Sequence, residues 1–434
     1  MRKDIIGSKL LEERKNQGKT LRDIAHKLGW SLSTLSSIER GFISVADEKY
    51  IEYAKELGIA EDLFGIEDEM TKREKEIMKE LKHIEDISIG NQTIALERIN
   101  NLTDIHHFSD AIAFSEYLKG RIYYFQQDYK RSKKHFESAL KKLDECPNLA
   151  NSNLPCICYS ELARIAFYDN QDYEASYQLT NQAIDVFAPD GHRNYFKAHL
   201  LLNQAIYLEE LDRLEESCSY VEQLLKEKEI LKPNDITMIQ AYERYAVVLT
   251  KLGMPFKALD YAKEGLQLAW ENKSHLRLFS MWITIGDIFS AIGNYEVAII
   301  NYQKSLDFIH HAKDKPHHIC ELYFRFGQAL ARKGEIKESE NKLLFAQKYS
   351  NKTKSSKFKL EIHHLLGKIQ RTQHKFTEAR ETYKKIEEMF KFSSDYIPVD
   401  ICLELCEFYK DIRNEDKSNY YQRLLYQNLK EELG

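Results

Sequence analysis

Apolar positions in the first sixty-odd residues fall into short helical stripes punctuated by polar caps and glycines. Residues 5–17 (IIGSKLLEERKNQ) place Ile6, Leu10 and Leu11 on one face, and Gly18 ends the run. Thr20 then opens T-L-R-D, an N-cap with a carboxylate three positions on at Asp23. Ile24, Ala25 and Leu28 follow on a second stripe that stops at Gly29. Ser31 is another N-cap, and Leu35 and Ile38 supply the buried face of a third helix that ends at Gly41, a residue able to take a left-handed cap. Three short helices, the second and third joined by a turn of about four residues, predict a helix-turn-helix.

Past Phe64 the chain turns strongly charged (GIEDEMTKREKEIMKELK) with no Gly/Ser-rich linker, which places a boundary near residue 66. Beyond it a self-similar pattern runs almost to the end. The segment GRIYYFQQDYKRSKKHFESAL, from Gly120, aligns without a gap on GDIFSAIGNYEVAIINYQKSL, from Gly286. Gly120, Ala205, Ala246, Gly286, Gly327 and Gly367 occupy matching positions, and Ala258, Ala298, Ser339 and Ala379 repeat in step within the second helix. Such a period means stacked helical hairpins, in which a small residue lets two helices approach closely. Aligned Tyr129, Tyr173 and Tyr295 before the second helix follow the tetratricopeptide pattern. The expected architecture is therefore all-α: a helix-turn-helix domain over residues 1–66, then a right-handed tetratricopeptide-repeat superhelix, an α-solenoid, over residues 67–434. About eight to nine hairpins are expected, the last of them a cap.

Composition agrees. A chain of 434 residues with 7 prolines, 17 glycines and 26 tyrosines suits long helices better than strands and turns. The net charge of −5 excludes a chain that coats nucleic acid along its whole length. Any such contact must be local, and residues 1–46 carry nine Lys and Arg against five Asp and Glu, a local excess of cations. Seven scattered cysteines without a CxxC pair read as reduced packing residues. No apolar run is long enough for a signal peptide or a membrane span, so a soluble, cytoplasmic protein is expected, without a membrane partner.

Nucleotide loops, zinc-protease motifs and nucleophile elbows are all absent from the sequence. The histidine pairs at 106–107, 310–311, 317–318 and 363–364 are adjacent, about 100° apart on a helix, and so chelate poorly. No enzyme activity, catalytic residue, metal or cofactor is expected.

Two sets of binding residues are. With Leu35 and Ile38 turned inward, the third helix presents Leu32, Ser33, Thr34, Ser36 and Ser37 outward beside its cap Ser31, a set suited to base edges in a major groove. Thr20, Arg22 and Arg40 flank it as phosphate contacts. In the solenoid, residues a few positions from each small residue should line a concave groove: Tyr117, Arg121, Asn203, Glu243, Asp287, Phe324, Gln328, His364 and Lys368. Amides, charges and aromatics there could clamp an extended peptide.

The string LRDIAHKLGWSLSTLSSIERG resembles the Cro/repressor type of helix-turn-helix, through Ala25, Gly29, Glu39 and Gly41. That resemblance implies binding to double-stranded operator DNA, with Leu32, Ser33 and Ser37 the positions that most often touch bases. Fused to a long tetratricopeptide array, the chain as a whole resembles the RRNPP family of Gram-positive bacteria, with its NprR-, PlcR- and Rap-like peptide-responsive regulators; in length it is similar to the larger, NprR-like members. The resemblance implies a homodimeric quorum-sensing transcription regulator switched by a short linear signalling peptide. A Rap-like protein that dephosphorylates or sequesters a response regulator is the alternative, for which Gln92, Gln126 and Gln127 would be the glutamines to orient water. A third is a prophage or mobile-element regulator governed by a protein partner.

Overall fold

Helix follows helix along the chain, and no strand occurs among the residues that the computed structural model describes, which are 2–433 apart from 43, 62, 232, 353–355 and 392–396. The first four helices are α1 (Lys3–Asn16), α2 (Leu21–Leu28), α3 (Leu32–Glu39) and α4 (Asp47–Leu57). A long α5 (Leu63–Gly90) and short α6 (Gln92–Asn100) lead into paired helices. These are α7 (Ser109–Phe125) with α8 (Tyr129–Leu143), α9 (Leu154–Ile165) with α10 (Tyr173–Asp185), and, in sequence, α11 (Phe196–Glu210) with α12 (Leu214–Lys226). After a single turn, α13 (Lys228–Leu231), come α14 (Asp235–Lys251) with α15 (Pro255–Glu271), α16 (His275–Ala291) with α17 (Tyr295–Leu306), and α18 (Pro316–Lys333) with α19 (Ile336–Ser350). The last pairs are α20 (Ser356–Thr372) with α21 (Phe376–Lys391), and α22 (Val399–Asp411) with α23 (Glu415–Leu433). Apart from α11 and α12, which fall in different compact units, these pairs follow the period of the repeats.

Two compact units divide this order: residues 1–213 with 227–232, and residues 214–226 with 233–434. The first unit therefore holds the helix-turn-helix together with the opening hairpins.

Hairpin geometry follows from three recurring positions. The turn between paired helices needs one left-handed residue. Gly253, Gly293 and Gly334 supply it without strain, while Gln127 and His374 take the same slot with φ near +59° and +58°. Next comes a side-chain cap: Asp128, Asp172 and Asn294 accept the backbone N–H three residues on, at 3.0, 2.9 and 3.2 Å. Tyr129, Tyr173 and Tyr295 then begin the second helices.

The third position is the small residue of the first helix. A Cβ added to Gly120 would lie 2.7 Å from the Phe136 ring, one on Gly286 2.5 Å from the Tyr302 ring, and one on Gly327 2.8 Å from Leu343. On Gly367 it would enter the Tyr383 ring. In every case the colliding side chain stands sixteen positions later, on the partner helix of the same hairpin. The glycine thus closes its own hairpin, where the sequence pattern suggested contact between successive hairpins. Where the second helix carries Ser rather than Ala, the hydroxyl adds a bond across the same seam: Ser132 Oγ donates to Gly120 O at 2.8 Å and Ser339 Oγ to Gly327 O at 2.7 Å.

The helix-turn-helix bundle has its own core of Ile6, Leu10, Ile24, Leu35, Ile38, Tyr50, Tyr53, Ala54 and Leu57. It also shares one with the repeats, because Ile5, on the next face of α1, is fully buried among Ile77, Leu81, Phe108 and their neighbours. Polar contacts reinforce the junction. Arg2 bridges Asp4 and Glu74 at 2.6 and 3.0 Å, and Ser8 Oγ meets His107 Nδ1 at 2.7 Å.

All seven cysteines are free thiols, five of them buried. Burial pushes the Cys146, Cys156 and Cys320 thiols up to about 12, as inert packing residues require. No helix among the described residues is long and apolar enough to cross a membrane.

Gly286→Ala should cost about 1–3 kcal/mol by overpacking against Tyr302, visible as lost amide-exchange protection in α16 and α17. Gly90→Ala, where an added Cβ meets nothing within 4 Å, should leave protection intact. Equal protection in the two variants would refute the closure argument.

Candidate functional sites

On the N-terminal module the capping chemistry fixes where α3 points. Thr20 and Asp23 form a reciprocal capping box at the start of α2, with Thr20 N to Asp23 Oδ2 at 2.7 Å, and Gly29 caps its end at φ +70°. Ser31 accepts the Thr34 N–H at 3.1 Å, and its hydroxyl lies 2.7 Å from that of Ser33 and 2.9 Å from that of Thr34. Leu35 and Ile38 are fully buried, as the helical stripe requires. Leu32 is 45% exposed, Ser31 and Ser33 are exposed, and Thr34, Ser36 and Ser37 are half-buried. Thr20, Arg22 and Arg40 are exposed.

A recess of about 420 Å³ beside α3 is lined by Ser33, Thr34 and Ser37 together with Ser44, Val45, Ala46 and Lys49. The last four were missed by sequence reasoning, which stopped at the end of α3. Lys49, at the start of α4, is held with its ammonium 5.5 Å from the centre of the Trp30 ring, and it extends the cationic face.

Glu39, recognised in the sequence as part of a motif, acts as a clamp. Arg14 donates to both of its oxygens at 2.6 and 3.0 Å, and Tyr53 Oη donates to it at 2.6 Å, with Arg14 and Glu39 both under 10% exposed. Burial and the neighbouring carboxylate push the Tyr53 phenol well above its usual range, so it remains a donor. Gly7 completes the fit. A Cβ there would collide with Ile38 O and lie 2.9 Å from Gly41 N, so α1 and the end of α3 pack backbone to backbone. A lone glycine inside a helical stripe gave no sign of this.

Groove candidates in the first unit gather around Glu85 of α5. Tyr117 Oη and Arg121 Nη1 both donate to Glu85 Oε1 at 3.1 Å, and Arg193 Nη2 lies 2.9 Å from its other oxygen. The Tyr117 ring is buried, and only its hydroxyl enters this polar cluster. Neither Glu85 nor Arg193 was singled out from the sequence. A third cation, Arg164, stacks 4.6 Å from the centre of Tyr124 and pairs with Glu161 at 3.0 Å. Asn203, on α11, donates to Ser160 Oγ at 3.5 Å.

In the second unit Asp287 and Gln328 line one recess of about 580 Å³. Asp287 accepts the Tyr302 hydroxyl at 2.6 Å and faces Arg325 at 3.8 Å. Burial raises its carboxyl above the usual range, against the pull of Arg325 and Tyr302. Burial also raises Glu243, which stands 3.6 Å from Arg277. Glu321 goes the other way: burial pushes it up, but His318 and Arg325 outweigh that and hold it down at about 2. His364 lies 3.6 Å from Asp400, and Lys368, one turn on, is exposed.

Phe324 corrects the sequence reading. Its ring is 3% exposed and packs on Phe358 in the core between hairpins, rather than facing a groove. It stands one position before Arg325, and about 100° of helix separates the apolar seam from the polar face.

Among the glutamines weighed for orienting water, Gln92 gives its amide to Ser88 O at 3.2 Å, and Gln126 and Gln127 sit exposed at the α7–α8 turn. No group of three or more His, Cys, Asp or Glu side chains that could hold a metal occurs among the described residues.

Together these features define a helix-turn-helix protein extended by tetratricopeptide hairpins. Comparison with known families agrees. A helix-turn-helix family matches residues 10–64, and a tetratricopeptide repeat family matches residues 117–141, the second half of α7 with most of α8, and 279–308, most of α16 with α17. No curated protein matches the sequence. Solved structures of similar fold include the quorum sensor NprR from B. thuringiensis in its apo form (TM-score 0.58, 15% identity, covering 84% of this chain and 99% of that one) and apo RapI (0.54, 14%, 83% and 97%). A Rap protein complexed with Competence and Sporulation Factor is similar to the same degree (0.54, 11%, 84% and 98%). In architecture the chain thus resembles the RRNPP family.

Glu39→Ala would strand the buried Arg14 guanidinium and should destabilise the N-terminal module by about 3–5 kcal/mol. Amide exchange across α1–α4 measures the loss. Protection equal to that of the unaltered protein would show that the clamp carries no weight.

Proposed function

We propose that the protein is a cytoplasmic, homodimeric transcription regulator of the RRNPP type. Residues 1–66 bind operator DNA and residues 67–434 take a short linear signalling peptide that switches that binding without any enzymatic step. The observation that carries this reading is the solvent-facing hydroxyl surface of α3. Lys49 lines the recess beside it, Arg22 and Arg40 are exposed at the start of α2 and the end of α3, and the Arg14–Glu39–Tyr53 clamp ties α3 to α1 and α4. Its shape and charge suit a major groove flanked by phosphates.

Peptide control is supported by the partly buried polar clusters of the first helices, and by two neighbours of the same fold. One is described as a quorum sensor, and the other was solved with Competence and Sporulation Factor. In a dimer two copies of α3 must meet half-sites about 34 Å apart, or a multiple of that. A peptide switches DNA binding only by favouring one arrangement over another.

Selection of genomic fragments by the full-length chain provides the test. The unaltered protein should enrich a small set of fragments. Arg22→Gln and Arg40→Gln should weaken all of them alike, each lowering the slope of log affinity against log salt by about 1. Ser33→Glu, which sets a carboxylate among base edges, should abolish enrichment. Retention of the same fragments by Ser33→Glu, with an unchanged salt slope in the arginine variants, would overturn the DNA-binding assignment.

A further inference from the structure

The recess of the second unit has a chemistry of its own. It opens across the first helices α14, α16 and α18, and its walls carry three cations, Lys251, Arg325 and Arg332, against one carboxylate, Asp287. That carboxylate is already engaged, since Oδ1 accepts the Tyr302 hydroxyl at 2.6 Å. Its other oxygen stands 3.8 Å from Arg325 Nε, beyond hydrogen-bonding distance. Glu321, one turn before Arg325 and outside the lining, is 3.7 Å from Nη2. Glu361 adds attraction from α20. Arg325 is therefore surrounded by charge that keeps it cationic, while its buried Nε has no hydrogen-bond partner among the described residues.

An unsatisfied buried donor on a guanidinium costs free energy until an acceptor arrives. The acceptor that suits the planar fork of an arginine is a carboxylate, bound through two parallel N–H bonds. Gln328, one turn beyond Arg325 on α18, and Thr284 on α16 add neutral groups to the same walls, suited to the peptide units on either side of such a carboxylate.

We infer that this recess is an anion subsite for a carboxylate of the bound peptide, either its C-terminus or an Asp or Glu side chain, gripped by Arg325 and Arg332. The inference rests on the peptide-binding reading above and adds the chemical class that the peptide must present at this point.

The full-length chain can be offered randomised short linear peptides in four pools: unrestricted, C-terminally amidated, lacking Asp and Glu, and both amidated and lacking them. Retained peptides are read by mass spectrometry. The unrestricted pool should be retained about 10- to 100-fold better than the pool with no carboxylate, the range expected for a charged hydrogen bond. The two intermediate pools tell a C-terminal from a side-chain carboxylate. Arg325→Gln and Arg332→Gln should each reduce that preference, and Lys263→Gln, on the exposed face of α15, should keep it. Because Arg332 is exposed at the end of α18, its variant tests the subsite even if Arg325→Gln folds poorly. Retention indifferent to carboxylates, or a preference unchanged in Arg332→Gln, would overturn the subsite and leave peptide binding standing. Failure of the unaltered chain to retain any pool would overturn both.

Discussion

Close approach of two helices at a missing side chain is the constraint from which the repeats derive. Gly120, Gly286, Gly327 and Gly367 each admit a large side chain from the partner helix sixteen positions on, and in three of the four that side chain is aromatic. The ring fills the space that a Cβ would occupy, so the hairpin closes with its bulk on one side only. That asymmetry leaves the remaining faces of the first helix free to differ. One face carries the apolar seam between hairpins, where Phe324 lies, and the next carries the ionisable residues, where Arg325 lies. Tyr302 joins the two functions, since its ring packs on Gly286 and its hydroxyl holds Asp287. A side chain that closes the scaffold thereby also orients the polar face.

The N-terminal module is built on the same economy of space. Gly7 and Gly41 let α1 touch the end of α3, and the Arg14–Glu39–Tyr53 clamp then locks the angle. A buried ion pair by itself is weak support for stability, because desolvation offsets its attraction. Its worth here is directional: two nitrogens and a phenol converge on one carboxylate, so α3 cannot rotate without breaking several bonds together. Ile5 and Arg2 carry that fixed orientation onward into the core and onto Glu74 of α5. The helix-turn-helix is thus mounted on the opening hairpins, and on the proposed reading this mounting lets the repeats govern where α3 sits.

Local chemistry was legible in the sequence. Thr20, Ser31, Gly29 and Gly41 act over three or four positions, and each caps the helix that its spacing implied. The repeat period located the hairpins for the same reason, because small residue, turn and tyrosine recur within a score of positions. Contacts between distant residues were not legible. Glu85 and Arg193 are 108 positions apart, and nothing in either segment marks them as partners of Tyr117 and Arg121. Glu39 was visible as a motif residue, yet its task depends on Arg14 and Tyr53. Phe324 shows the limit of helical bookkeeping: one residue of phase moves a side chain from groove to core.

Why the inner faces stay polar is the remaining question, and energetics answers it. Burial raises the Asp287 and Glu243 carboxyls, although their side chains keep 27% and 22% of their surface exposed. The Glu243–Arg277, Glu321–Arg325 and Asp287–Arg325 pairs stand 3.6 to 3.8 Å apart, longer than the 2.6 Å of Arg14–Glu39. Among these groups Arg325 keeps one buried donor, Nε, with no hydrogen-bond partner among the described residues. On the proposed reading a ligand carboxylate supplies acceptors to the Arg325 guanidinium, so part of its binding energy comes from relieving that unsatisfied donor.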